Sequence, residues 1–89
     1  MASSKEAFLK LEIWKKSKTV LKLTVVTKGG MPDTLRGQIV ATDEESGLVS
    51  FVVSKVRSLP RIDLNGATFR IGKRSLEARR DEDLLTFEE

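Results

Sequence analysis

The side chains able to do chemistry in this chain are carboxylates, ammonium and guanidinium groups and hydroxyls; cysteine, histidine and tyrosine are absent. Composition therefore excludes thiolate nucleophiles, imidazole bases and the Cys/His ligand sets of zinc and haem. No disulfide can staple the fold, which fits a reducing compartment. Adjacent carboxylates occur at Glu44-Glu45, Asp81-Glu82-Asp83 and Glu88-Glu89. Paired acids act as general acid and base when burial splits their pKa values; these belong to a polar turn and an acidic end, where water keeps them ionised. Gly66 to Ser75 reads G-A-T-F-R-I-G-K-R-S and approaches a phosphate loop. It fails on spacing, because five residues rather than four separate its glycines and Arg74 stands where a hydroxyl must follow Lys73. With no nucleophile beside an activating base, the chain reads as a non-enzyme without a cofactor.

Charge is distributed in blocks: +5 over residues 1–30, −3 over 31–54, +6 over 55–80 and −5 over 81–89, for a net +3. A basic block meets phosphates by displacing their counterions. Lys55, Arg57, Arg61, Arg70, Lys73 and Arg74 are the candidate contacts, with Phe51 or Phe69 as stacking partners on a single-strand binding face. The plainer assignment is that these cations solvate outer faces while Phe51 and Phe69, set in apolar strands, serve the core. Phe8 and Trp14 then cap the core or an interface. Charged residues interrupt the N-terminus before any apolar run of signal length, and no window approaches the roughly 18 apolar residues of a membrane span. The expectation is a cytoplasmic protein without a membrane partner.

The elements that must position these residues follow from periodicity. Ser3-Ser4-Lys5-Glu6 has the form of a capping box, and Phe8, Leu11 and Trp14 recur at helical steps up to the Lys15–Lys18 run, where cations suit a helix C-terminus. Leu9, Leu11 and Ile13 also alternate at the strand period, so residues 7–14 fit both patterns, with the cap favouring helix. Thr19 to Thr27 is β-branched, with Leu21, Leu23 and Val25 on one face, and ends in the Lys28–Asp33 loop. In Thr34 to Thr42, Leu35, Ile39 and Ala41 share a face with Gly37, a mark of a bend or close backbone approach. The Asp43–Gly47 turn leads to Leu48–Val53, short and apolar enough to be buried on both sides. Lys55 to Pro60 suits an irregular or edge segment. Asn65-Gly66, between 61–64 and 67–71, is a hairpin signal requiring positive φ at both residues. Residues 73–89 form a C-terminal extension of open conformation: Leu76, Leu84, Leu85 and Phe87 could pack as a last strand or turn, while the terminal acids suggest fraying. The expected architecture is one mainly β domain over 1–89, with a helix region (1–18), a five-stranded barrel (19–72) and that extension, since closure removes sticky edges.

Leu35-Arg36-Gly37-Gln38-Ile39-Val40-Ala41-Thr42-Asp43, together with the preceding helix and strand, resembles the first motif of the Sm and Sm-like family, and Leu64-Asn65-Gly66 is similar to part of the second. The resemblance spans Ser3 to Ile71. It implies an SH3-like barrel with a short N-terminal helix, with Gly37 bending the second strand, Asp43 holding its own loop and Gly66 in the second motif. The family's base-reading Met-Asn pair corresponds to Ser46 and Gly47, and its second-motif Arg to Asn65, so a base pocket does not carry over. The Gly29–Asp33 loop is also longer than the family's turn. An unrelated SH3-like or OB-like barrel would accommodate Gly37 as a bulge glycine. The expected function is a binding or assembly module, a homo-oligomer formed through edge strands. RNA is the alternative partner, held by Arg57, Arg61, Asn65, Arg70, Lys73 and Arg74 with weak base discrimination.

Overall fold

A computed structural model describes residues 4–54 and 57–89, and for residues 54 and 57–61 the backbone alone. The chain is mainly β, with one N-terminal helix, α1 (Ser4–Ser17), and seven strands: β1 (Leu21–Val26), β2 (Asp33–Asp43), β3 (Leu48–Ser54), β4 (Arg57–Asp63), β5 (Thr68–Ile71), β6 (Ser75–Arg80) and β7 (Asp83–Glu88). They form one antiparallel sheet in the order β4-β3-β2-β1-β7-β6-β5.

Helical period wins in the first segment because it gathers the large apolar groups. Ala7, Phe8, Leu11 and Trp14 are buried, whereas Leu9 and Ile13 of the strand-period reading stay exposed. Ser3 of the expected capping box lies outside the described residues. The helix ends in a Schellman motif: Lys18 has φ of 55°, Thr19 N–H donates to Trp14 O and Lys18 N–H to Lys15 O. Lysine thus occupies a left-handed position that glycine usually fills.

Curvature of the sheet makes the core. Phe51 of β3 and Phe87 of β7 are three strands apart, about 14 Å in a flat sheet, yet their ring centroids lie 6.2 Å apart, edge to face. At one rim Arg80 of β6 pairs with Asp63 at the end of β4 at 3.1 Å. The sheet therefore coils over its own apolar face without closing. Leu21, Leu23, Ile39, Val49, Phe51, Leu64, Phe69, Leu76 and Phe87 line the interior, and α1 packs against β2 and β5.

Two devices bend β2. An added Cβ at Gly37 would lie 2.1 Å from Val52 O, so only hydrogen allows β2 and β3 to pass this closely. Beyond it the register slips, with Ile39 opposite Phe51 and Ala41 opposite Ser50, leaving Val40 as the extra residue of a bulge. The bulge breaks the period of two: Ala41, expected to share the face of Leu35 and Ile39, is exposed. β3 has alternating burial rather than two buried faces, with Val49 and Phe51 inside and Leu48, Ser50 and Val52 half-buried.

The sheet has seven strands where five were expected, and the difference lies in residues 73–89. They form β6 and β7, and β7 is paired on both sides, against β1 and β6. Their turns carry no Asn-Gly signal. Lys73-Arg74 joins β5 to β6, and Asp81, at φ of 54°, begins the turn to β7. Asn65-Gly66 is a turn but not a hairpin, because β4 and β5 lie at opposite ends of the sheet order. Ala67 N–H donates to Leu64 O and only Gly66 has positive φ, the pattern of a type II turn.

Gly37→Ala should lower stability by about 2–3 kcal/mol, as an overpacked core position does. Gly66→Ala, with open space around its φ of 79°, should cost about 1–2 kcal/mol from backbone strain alone. Urea unfolding with an unchanged m-value checks the order of the two.

Candidate functional site

The expected contact residues do not form one cluster. Lys55 lies outside the described residues; Arg57 and Arg61 lie in β4 by their backbones, and their side chains are outside the described residues. Asn65 is exposed at the tip of the β4–β5 turn, its N–H donating to Asp63 Oδ1 at 2.9 Å. Arg70 is on β5, and Lys73 and Arg74 make the β5–β6 turn; all three are exposed. The structure thus brings Arg70, Lys73 and Arg74 onto one hairpin and leaves Asn65 on another turn.

That hairpin is mixed in charge. Arg70 is directly opposite Glu77 of β6, and Thr68 is opposite Arg79. With Glu6 of α1 they line an open cleft of about 670 Å³ along β5, which also touches Phe69 and Ile71. Carboxylates standing among the cations weaken this face for phosphate, because a like charge repels each incoming oxygen. Phe69, a stacking candidate, is instead buried edge to face against Phe8 at 6.4 Å, and Phe51 against Phe87.

Asp43 ties its own turn: its Oδ1 accepts from Glu45 N–H at 3.1 Å and its backbone O from Gly47 N–H at 2.8 Å. Gly47 O in turn accepts from Leu64 N–H at 2.7 Å, locking the β2–β3 and β4–β5 turns together. A Cβ at Gly47, whose φ is 78°, would stand 2.7 Å from Asn65 N. The turn that follows the first segment compared with the family's motifs is therefore in backbone contact with the second.

Two polar attachments of α1 were not visible from spacing, because each joins residues far apart in the chain. Lys10 Nζ lies 4.9 Å over the Trp14 ring and donates to Lys73 O at 3.3 Å, fixing the helix to the β5–β6 turn. Glu12 accepts from Thr42 Oγ1 and pairs with Lys15 at 2.9 Å, fixing it to β2. The Thr42 hydrogen bond, followed by that from Lys15, holds the Glu12 carboxyl below its ordinary pKa.

The described residues contain no group of three or more His, Cys, Asp or Glu placed to hold a metal, and no helix long and apolar enough to cross a membrane. Comparison of the chain with protein-family models, curated proteins and solved structures gives no match. The feature with the most defined chemistry is the backbone at the margins of the sheet. Gly72 N–H donates to Ser75 O at 2.9 Å, which makes 72/75 a hydrogen-bonded pair. In an antiparallel ladder such pairs alternate, so Arg70 and Thr68 bond toward β6 and the N–H and C=O groups of Phe69 and Ile71 face outward. Strand β5 ends the sheet order, leaving that row without a strand partner among the described residues.

A carboxylate whose pKa is lowered by folding stabilises the fold above its unfolded value, and that contribution is lost as pH falls through the folded value. Glu12 therefore contributes fully above its ordinary value of 4.5 and progressively less below it. Melting temperatures across this range should fall more steeply for the wild type than for Glu12→Gln, with the wild type higher near neutrality. Equal acid slopes would show that Thr42 and Lys15 do not hold the carboxylate.

Proposed function

We propose that this chain is a non-enzymatic assembly module of Sm-like type that associates with copies of itself through the margins of its sheet. The observation that carries this reading is the open sheet, whose end strands, β4 and β5, have no second strand neighbour among the described residues. Unpaired strand edges are templates for further pairing. Absence of cysteine and histidine, and the solvated setting of the acid pairs, support a role in binding rather than catalysis.

Support for the Sm-like type comes from the helix, the glycine-bent second strand and the contact between the turn after its first motif segment and the second. The family's second motif lies between its last two strands; here two more strands follow Asn65-Gly66. The type is thus an elaborated one, with β6 and β7 inserted between β5 and β1 in the sheet order.

Sedimentation equilibrium tests the reading. The wild type should sediment as a multiple of 9.9 kDa. Ile71→Pro, which removes an outward amide without touching the β5–β6 hydrogen bonds, should shift it toward 9.9 kDa with unchanged circular dichroism. A wild type of monomer mass at high micromolar concentration overturns the proposal.

A further inference from the structure

The two free margins are unlike. In β4, Ile62 is opposite Val49 and Leu59 opposite Phe51, so Pro60 and Arg61 together face Ser50; a second register shift separates Ser58 from Arg57. Proline, bulges and charge are the devices by which an edge is kept from accepting a strand. β5 has none of the irregularity: its register runs unbroken through Thr68, Phe69, Arg70 and Ile71, and it lacks proline. Ile71, on the core side of the sheet opposite Leu76, is nonetheless 37% exposed at this margin.

Resting on the reading that the chain self-associates through its edges, we propose that the contact is β5 against β5 of a second copy, antiparallel across a two-fold axis, joining two sheets into one. Such a contact is isologous, and the edge is self-complementary because Phe69 offers both an outward donor and an outward acceptor. Charge selects the register. Phe69 opposite Ile71 of the second copy would set the two Arg70 residues face to face in a close, non-hydrogen-bonded pair, which is repulsive. Ile71 opposite Ile71 runs the pairing into the Lys73-Arg74 turn. Phe69 opposite Phe69 instead sets Arg70 opposite Thr68 and Ile71 opposite Ala67, meeting guanidinium with hydroxyl and covering the exposed isoleucine.

Because the chain has no cysteine, thiols introduced at the margin are the only ones present. Thr68 and Arg70 are both exposed, and a directly opposed pair at about 4.5 Å between Cα atoms is within disulfide reach. Under mild oxidation, an equimolar mixture of Thr68→Cys and Arg70→Cys proteins should form covalent dimer roughly tenfold or more faster than either variant alone. Arg70→Cys crosslinking to itself faster than the mixture overturns the pairing. A native mass above two copies with no crosslink in the mixture overturns the two-fold contact while leaving edge-strand association standing. A monomeric wild type overturns both.

Discussion

The passage of β2 over β3 at Gly37 is the contact on which the rest of the fold depends. With Val52 O 2.1 Å from where a Cβ would sit, the two backbones meet at a distance that only glycine permits. The bulge at Val40 adds turn to the same strand immediately afterwards. Together they give the sheet the curvature that carries β3 over toward β7. A small domain buries a limited fraction of its surface, and coiling one sheet onto its own apolar face lets a single layer supply both walls of the core. Phe51 and Phe87 meet as a result, although neither their sequence separation nor their strand order would place them side by side.

A coiled sheet still needs a cover, and α1 provides it with side chains of two kinds. Phe8, Leu11 and Trp14 are pushed into the interior by the hydrophobic effect, which is strong but indifferent to direction. The polar contacts supply the direction: Glu12 to Thr42 on β2, and Lys10 to the backbone of Lys73 at the far hairpin. These groups are partly exposed, so each adds little net stability. Their effect is to fix which way the helix lies across the sheet, with one anchor on β2 and the other on the turn that opens β6.

Local chemistry was legible wherever it was strong. The helix, the strand nature of β1 to β3, the glycine bend and the polar turn at Asp43 all follow from periodicity, β-branching and turn residues within short windows. What escaped was non-local or lacked its usual residue. Lys18 and Asp81 adopt positive φ without being glycine, so neither the Schellman end nor the β6–β7 turn had its customary marker. The segment around that turn left packing of Leu76 and Phe87 and fraying of the acids both open, because the partner that decides it, β1, lies far away in the chain; both side chains are wholly buried. Asn65-Gly66 shows the opposite failure: a strong hairpin signal used as a corner, where the Leu64 N–H to Gly47 O bond ties the two turns together and β5 runs to the other end of the sheet. The basic residues were easy to count, but their grouping was not. Arg70 faces Glu77 only because of a strand register that local sequence does not determine.

The C-terminal hairpin also decides which strands lie at the margins of the sheet. By pairing with β1, β7 occupies an edge that a shorter chain would expose, and by pairing with β6 it leaves the four-residue β5 at the margin. The hairpin adds Leu76, Ala78 and Phe87 to the core, so it stabilises the fold while shortening one free edge. A short edge offers few backbone hydrogen bonds, each worth about 0.5–1.5 kcal/mol net. Losing the freedom of two separate molecules costs an estimated 4–15 kcal/mol. Backbone pairing through so short an edge leaves little surplus over that cost, and covering apolar surface at the margin, where Ile71 is 37% exposed, would add to it. Contacts that bury little area form reversible assemblies. In the proposed β5 contact, association is therefore set by concentration, with Ile71 and the outward amides both contributing.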